Sequence, residues 1–305
     1  MDSIIYFKAL SDITRIRLFN ILLHHELSVN EIVSLMDMGQ SRISRHLKIL
    51  VDAELLKCRR DGVWAFYSCV DVGPGREFVD SIKYLFDSEY DLNKDVVKAR
   101  KIVDKRKLAT MQFFNRVANE WDLLQREVLG GFDLNDKIVK HIGKCNVAVD
   151  LGCGTGELLS YIRECSTRVV GVDSSAKMLD ITKKRFRNDI DSIDLRLGEI
   201  EHLPLGNEEA DCVVISMVLH HLSEPDMAIK EVHRILKPGG IFIIADFDKH
   251  KDEEMRHSYN DRWLGFAKKE MELWLKENNF SLEKSEKHKL KQSLELSIYK
   301  SVKER

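Results

Sequence analysis

The run VAVDLGCGTG, residues 147–156, decides the fold of the larger part of the chain. Val147 to Leu151 form a short apolar strand of the kind buried on both faces, and Gly152, Gly154 and Gly156 follow at alternate positions before a helix opening at Glu157. Glycines at such a strand-to-helix turn make the bend and let the backbone approach a ligand closely. A second strand, Val169 to Val172, ends about 20 residues on in Asp173, where an acidic side chain can accept hydrogen bonds from both hydroxyls of a ribose. The spacing is GxGxG behind Asp150, not GxGxxG. Such a loop suits an amino-acid moiety and has no pyrophosphate to neutralise.

Three phrases follow in order: RLGEIEHLPL (196–205), ADCVVISMVLHHL (210–222) and EVHRILKPGG (231–240). With the glycine loop they resemble the class I methyltransferase fold, in particular its ubiquinone-biosynthesis-like branch, over residues 145–280. The resemblance implies a Rossmann-like domain at 144–305 that binds S-adenosylmethionine or S-adenosylhomocysteine. Its binding set would include Asp150, Gly152, Cys153, Gly154, Gly156, Asp173 and Ser174. Glu199 would meet the adenine amino group beside the Ile200 backbone, although an Asp is commoner there in the family. Met178 would pack on the adenine face, and Ser216 and Met217 would border the methionine; core packing explains the two methionines equally well.

Methyl transfer from a sulfonium is an in-line displacement helped mainly by positioning and desolvation, so no acid or base need be visible. His220, His221 and Asp246 lie at strand ends and could deprotonate an acceptor, or could serve as packing and loop caps. Lys237 to Gly240 read as a turn into a fifth strand, Ile241 to Asp246. Tyr259, Trp263 and Phe266 either roof an acceptor pocket or cover a sheet face. Residues 280–286 and 294–302 give a closing hairpin for an antiparallel edge. Upstream, FFNRVANEWDLL (113–124) resembles the helix that lids the cofactor in small-molecule methyltransferases.

A different pattern occupies residues 1–90. Asp12 is an N-cap candidate, and Ser28 with Glu31 three residues on makes a capping box for a helix that runs to a turn at Gly39. The next helix starts at Gln40 or Ser41 and puts Ile43, Leu47 and Leu50 on one face, with Ser41, Ser44, Arg45 and Lys48 opposite. Hydroxyls and cations on an exposed helix are donors for phosphates and base edges, although a solvated amphipathic helix has the same wheel. The hairpin that follows, Leu56 to Arg60 and Val63 to Cys69 joined by Asp61-Gly62, turns the pair into a winged helix-turn-helix.

This part resembles the ArsR family of bacterial repressors in ALSDITRIRL (9–18), GQSRISRHLKIL (39–50) and LLKCRRDGVWAFYS (55–68). The resemblance implies DNA contacts from Gln40, Ser41, Arg42, Ser44, Arg45, Lys48, Arg59 and Arg60. It also implies a homodimer, built by the first helix and the helix carrying Phe78, Val79 and Ile82, on an inverted-repeat operator. Ser28, Val29 and Asn30 stand where many metal sensors of the family carry a Cys-x-Cys pair, so no metal is expected. Cys58 and Cys69, on opposite hairpin strands, read as two buried thiols.

Residues 91–143 read as a helical connector and lid, with Lys98, Arg100, Lys101, Lys105, Arg106 and Lys107 on a solvated face. The net charge of -2 requires any attraction to DNA to be local. Six cysteines without a CxxC pair point to reduced thiols in a cytoplasm, and no apolar run is long enough to span a membrane. The expectation is a multidomain α+β and α/β protein, a DNA-binding repressor with S-adenosylhomocysteine or S-adenosylmethionine as effector. The alternative is an active S-adenosylmethionine-dependent small-molecule methyltransferase with a fused DNA-binding domain. Arsenic methylation fits less well, because Cys153, Cys165 and Cys212 fall in the loop, a helix end and a strand.

Overall fold

The computed structural model describes residues 3–87, 89–188, 193–290 and 294–304 and divides the chain into two compact units, Met1–Lys107 and Leu108–Arg305. The boundary falls within the helix Tyr90–Val117. Among the described residues no helix is long and apolar enough to cross a membrane.

The first unit begins with α1 (Ser3–Ala9) and α2 (Ile13–His24), then β1 (Leu27–Ser28), α3 (Val29–Met36) and α4 (Gln40–Asp52). The Asp12 carboxylate accepts from the Arg15 N–H to cap α2, and Ser28 and Glu31 complete the capping box of α3. The turn between α3 and α4 departs from expectation. Asp37, not Gly39, takes the left-handed conformation (φ 51°) that ends α3, and Gly39 (φ -61°) is the N-cap of α4. A short polar side chain tolerates that region better than most.

Strands β2 (Leu56–Asp61) and β3 (Trp64–Cys69) pair antiparallel, with β1 on the other side of β3. Asp61 lies opposite Trp64, so the hairpin turn is Gly62-Val63, one residue later than expected, with Gly62 at φ 56°. Register also corrects the cysteine pair: Cys58 faces Tyr67 and Cys69 faces Leu56, and only Cys69 is buried. Helices α5 (Pro74–Ile82), α6 (Tyr84–Asp87) and the start of α7 (Tyr90–Val117) follow, and Leu18, Phe19, Leu47, Leu50, Val79 and Ala99 join one core. Arg106 leaves the solvated face assigned to it, pairing at 2.7 Å with Glu31.

The second unit is a seven-stranded sheet flanked by helices. After the end of α7 come α8 (Trp121–Leu129), α9 (Leu134–Ile142), β4 (Cys145–Leu151), α10 (Glu157–Ile162), β5 (Ser166–Asp173), α11 (Ala176–Arg185) and β6 (Ile193–Leu197). Then follow β7 (Ala210–Ser216), α12 (Pro225–Ile235), β8 (Leu236–Phe247), α13 (Glu254–Ser258), α14 (Lys268–Glu277), β9 (Phe280–Lys289) and β10 (Glu295–Lys303). The strand order is β6-β5-β4-β7-β8-β10-β9. Strands β4 to β8 run parallel, and β10 pairs antiparallel with β8 and β9. The expected turn at residues 237–240 is taken into β8 as an irregularity in its pairing with β7.

Chain order explains where a ligand belongs. The chain steps from β4 outward to β5 on one side and later returns to β7 on the other, so the sheet reverses direction beside β4. The crevice at the carboxyl end of that strand is where open α/β sheets take their ligands. Gly152 opens it.

Candidate functional site

On the first unit the candidate DNA face is α4. Ile43, Leu47 and Leu50 are buried, which fixes the rotation of the helix and leaves Gln40, Ser41, Arg42, Ser44, Arg45 and Lys48 exposed. Lys48 is hydrogen-bonded to Asp52 at 2.8 Å. The two wing arginines differ: Arg60 is exposed, whereas Arg59 is half-buried and turned to Glu26 at 3.3 Å. Arg60 is therefore the better placed of the two to meet a phosphate.

On the second unit the glycine loop is built by backbone constraint. Gly152, Gly154 and Gly156 have φ of 74°, 54° and 79°, a region that side-chain-bearing residues rarely adopt. A Cβ on Gly152 would lie 2.5 Å from the Val218 side chain, and one on Gly156 would lie 2.5 Å from Thr182. The N–H groups of Gly152 and Cys153 both donate to the Val172 carbonyl, at 2.8 and 3.0 Å. The Asp173 carboxylate closes the loop, accepting from Gly154 N–H and Ser175 N–H at 2.8 Å each. Each of its oxygens keeps a second lone pair for another donor.

Burial raises the Asp173 carboxyl above its ordinary value, against the backbone N–H groups of Ser175, Gly154 and Ser174, which favour its charged form. Asp150, buried in β4, is pushed up to about 7 by burial and by the neighbouring Asp173 charge. Met178 and Ile200 are buried, while Ser174 and Glu199 are exposed. Met217 is buried with φ 58° just past β7, a costly conformation for a residue with a side chain.

Two contacts reach the loop from residues 113–124, the segment expected to lid the cofactor. Asn115 Oδ1 accepts from the Ser175 hydroxyl at 2.6 Å, and Asp122 accepts from the Thr155 hydroxyl at 2.5 Å. These contacts hold residues of α7 and α8 against the loop. The pairs lie 60 and 33 residues apart in the chain.

The three candidate acid-base residues do converge. His220 Nδ1 lies 2.6 Å from Asp246 Oδ1, both groups are buried, and Asp246 also accepts from the Phe247 N–H. Beside them stands Asp261, which sequence reasoning passed over in favour of the aromatic residues around it. Its Oδ1 is 3.6 Å from His220 Nε2 and 3.7 Å from His221 Nδ1. His221 Nδ1 also lies 3.3 Å from the Asn260 carbonyl.

Burial alone would lower the His220 pKa, but the Asp246 and Asp261 carboxylates overcome it and hold the imidazole up to about 9. His221 goes the other way, driven down by burial and by its charged neighbour. Burial pushes Asp261 up to about 7 despite the pull of His220.

A small cavity of about 20 Å³, room for roughly one water, is lined by Met217, His220, His221, Asp261, Trp121 and Tyr259 among others. Of the three aromatic candidates for a roof, only Tyr259 lines it; Trp263 and Phe266 are core residues, and the Trp263 indole N–H donates to the Leu222 carbonyl. Its lining residues include no cysteine.

Comparison with known proteins matches the two units separately. Residues 12–57 fit the family model described as bacterial regulatory protein, arsR family, and residues 149–244 fit the one described as methyltransferase domain. The chain joins an ArsR-family helix-turn-helix domain to a class I methyltransferase domain.

Malonyl-[acyl-carrier protein] O-methyltransferase of Yersinia pestis is 31% identical over 160 residues, 52% of this chain and 56% of its own. The ubiquinone/menaquinone biosynthesis C-methyltransferase of Rubrivivax gelatinosus is 35% identical over 99 residues, 32% of this chain and 38% of its own. Across the first curated relatives the chain spans between 30% and 56% of their length. Among solved structures, a methyltransferase candidate from Bacillus halodurans superposes with a TM-score of 0.52 at 17% identity, covering 57% of this chain and 100% of that one. Geranyl diphosphate methyltransferase, solved with S-adenosylmethionine, has a TM-score of 0.50 at 12% identity, covering 55% and 84%. At such identities the superpositions establish the Rossmann-like fold of the methyltransferase domain.

Proposed function

We propose that this chain is a DNA-binding transcriptional regulator, a repressor, whose methyltransferase domain binds S-adenosylhomocysteine or S-adenosylmethionine as its effector. The observation that carries the reading is the coexistence in one chain of an exposed cationic and hydroxyl-bearing face on α4 with a glycine loop closed by Asp173. A nucleoside with an amino-acid tail fits that loop: ribose hydroxyls to Asp173, adenine near Met178, Glu199 and Ile200, and the methionine end near Asp150, Gly154, Ser216 and Met217.

The functional partner would be double-stranded operator DNA, an inverted repeat read by a homodimer. Ile4, Ile5 and Phe7 of α1 are each more than half exposed, and Phe7 packs edge-on to Phe78 of α5. Such an apolar face suits burial against a second copy. A ligand that prefers one dimer geometry by about 1 to 3 kcal/mol changes operator affinity 5- to 150-fold.

A second reading, an active methyltransferase on a small-molecule acceptor, is favoured by the buried His220–Asp246 pair, which orients an imidazole beside the cavity. Both readings are tested together. Duplexes enriched from a random pool on the full chain are titrated with each nucleoside while DNA release and methyl transfer are followed. Ligand-dependent DNA affinity supports the regulator; methyl transfer with DNA affinity unchanged supports the enzyme.

A further inference from the structure

The cluster beside the methionine end of the site contains more than an acid-base pair. Both carboxylate oxygens of Asp261 are buried and accept no hydrogen bond among the described residues, an expensive state for an ionised group. The side chain of Asp261 is fully buried, and those of His220 and His221 nearly so. Arg256, whose charge acts on Asp261, is hydrogen-bonded to Glu253 and to the Arg262 carbonyl.

His220 is already oriented. With its Nδ1–H donated to Asp246 at 2.6 Å, its Nε2 points to Asp261, and a bound cation would take the place of the Nε2 proton. A ligating histidine typically has this arrangement, its second nitrogen held by a carboxylate that fixes the tautomer and raises basicity. One ligand atom from each of His220, His221 and Asp261 can be chosen so that all lie within 4.8 Å of one another. Around a tetrahedral centre with bonds of about 2.0–2.1 Å, ligand atoms sit about 3.3 Å apart. The two Asp261 separations of 3.6 and 3.7 Å need a slight contraction, and the histidine nitrogens, within 4.8 Å of each other, a larger one.

We propose that His220 Nε2, His221 Nδ1 and the Asp261 carboxylate form a binding site for one divalent transition-metal ion of the zinc or ferrous class. Two imidazoles and one carboxylate are the donor set such ions favour, and no thiolate takes part. His221 ligates as the tautomer protonated at Nε2 and gives up its 3.3 Å contact with the Asn260 carbonyl. The ion ties the segment carrying Asp261 to the short turn Leu219–His221 and leaves its remaining position facing the cavity. This site does not depend on the nucleoside reading; it would give the domain a second input beside the first.

The test is titration of the metal-free full chain with Co²⁺ and with Zn²⁺, with S-adenosylhomocysteine binding measured in parallel. The expected result is one ion per chain, with a cobalt spectrum of nitrogen and oxygen ligands and no thiolate charge-transfer band. Asp246→Asn should weaken binding by about 10- to 100-fold, and Asp261→Asn and His221→Gln by more. A thiolate band, no binding to the wild type, or binding unchanged in Asp261→Asn overturns the proposal. If a variant fails to fold, the wild-type cobalt spectrum still decides between the His/Asp set and the cysteines. Loss of nucleoside binding with metal binding intact would count against the proposed effector and leave this site standing.

Discussion

The α4 face and the glycine loop are both candidate binding surfaces, built on opposite principles. On α4 three buried residues, Ile43, Leu47 and Leu50, set the rotation of a helix, and every side chain opposite them faces outward. In the loop successive N–H groups each have their acceptor, Gly152 and Cys153 the Val172 carbonyl and Gly154 the Asp173 carboxylate, on a backbone turned by positive-φ glycines. A surface of the first kind loses individual contacts when changed. The second kind fails as a unit.

That contrast can be broken first at Asp173. Asp173→Ala leaves the Gly154 and Ser175 N–H groups without their acceptor, a cost of about 1–3 kcal/mol each, and removes the proposed ribose contact. Calorimetry should then find nucleoside binding lost by about 100-fold or more, with DNA binding unchanged in the absence of ligand. Affinity within a few-fold of wild type would mean that the carboxylate serves the loop and not the ligand.

Gly152→Ala comes next, combining a left-handed backbone with a 2.5 Å clash on Val218. It should destabilise the second unit by about 1–3 kcal/mol in chemical denaturation, while Trp64, the tryptophan of the first unit, reports an unshifted transition. A coincident shift at Trp64 would show the two units unfolding as one.

Arg45→Ala should cost about 1–3 kcal/mol in operator affinity if the guanidinium reads a base. If it meets only a phosphate, the loss is uniform across sequences and the salt slope falls by about one. Equal binding by wild type and variant would remove α4 from the groove.

The smallest effect concerns acid. Burial, with His24, Arg106 and Arg100 nearby, lowers His25 to about 4. A histidine that is neutral when folded and protonated when unfolded costs stability as pH falls from its ordinary value of about 6.5 toward 4. His25→Gln should flatten the stability-pH slope of the first unit in that window and leave it unchanged above pH 7. A slope identical to wild type would place the acid sensitivity elsewhere.

What the sequence disclosed follows the same division. Capping at Asp12 and Ser28, the wheel of α4 and the glycine loop with Asp173 are local patterns, and periodicity or turn chemistry makes them visible in a few residues. Features set by distant neighbours were invisible: the burial of Arg106 against Glu31, the attachment of Arg59 to Glu26, and, within the expected lid 113–124, the choice of Asn115 and Asp122 as the residues that grip the loop. Asp261 is the instructive omission. One acidic residue in an aromatic-rich segment carries no signal until the fold brings it to His220 and His221. The Gly62-Val63 turn missed by a single residue, because Asp-Gly favours a tight turn without fixing which residue closes the ladder.

If one unit reads DNA and the other reports a nucleoside to it, operator affinity must follow the nucleoside. The most direct test is operator affinity of the full chain, followed by fluorescence anisotropy as S-adenosylhomocysteine and then S-adenosylmethionine are added. At least one of them should change affinity by about 5- to 150-fold, and Asp173→Ala should abolish the response. Saturating binding of both ligands with no change in DNA affinity would contradict this coupling.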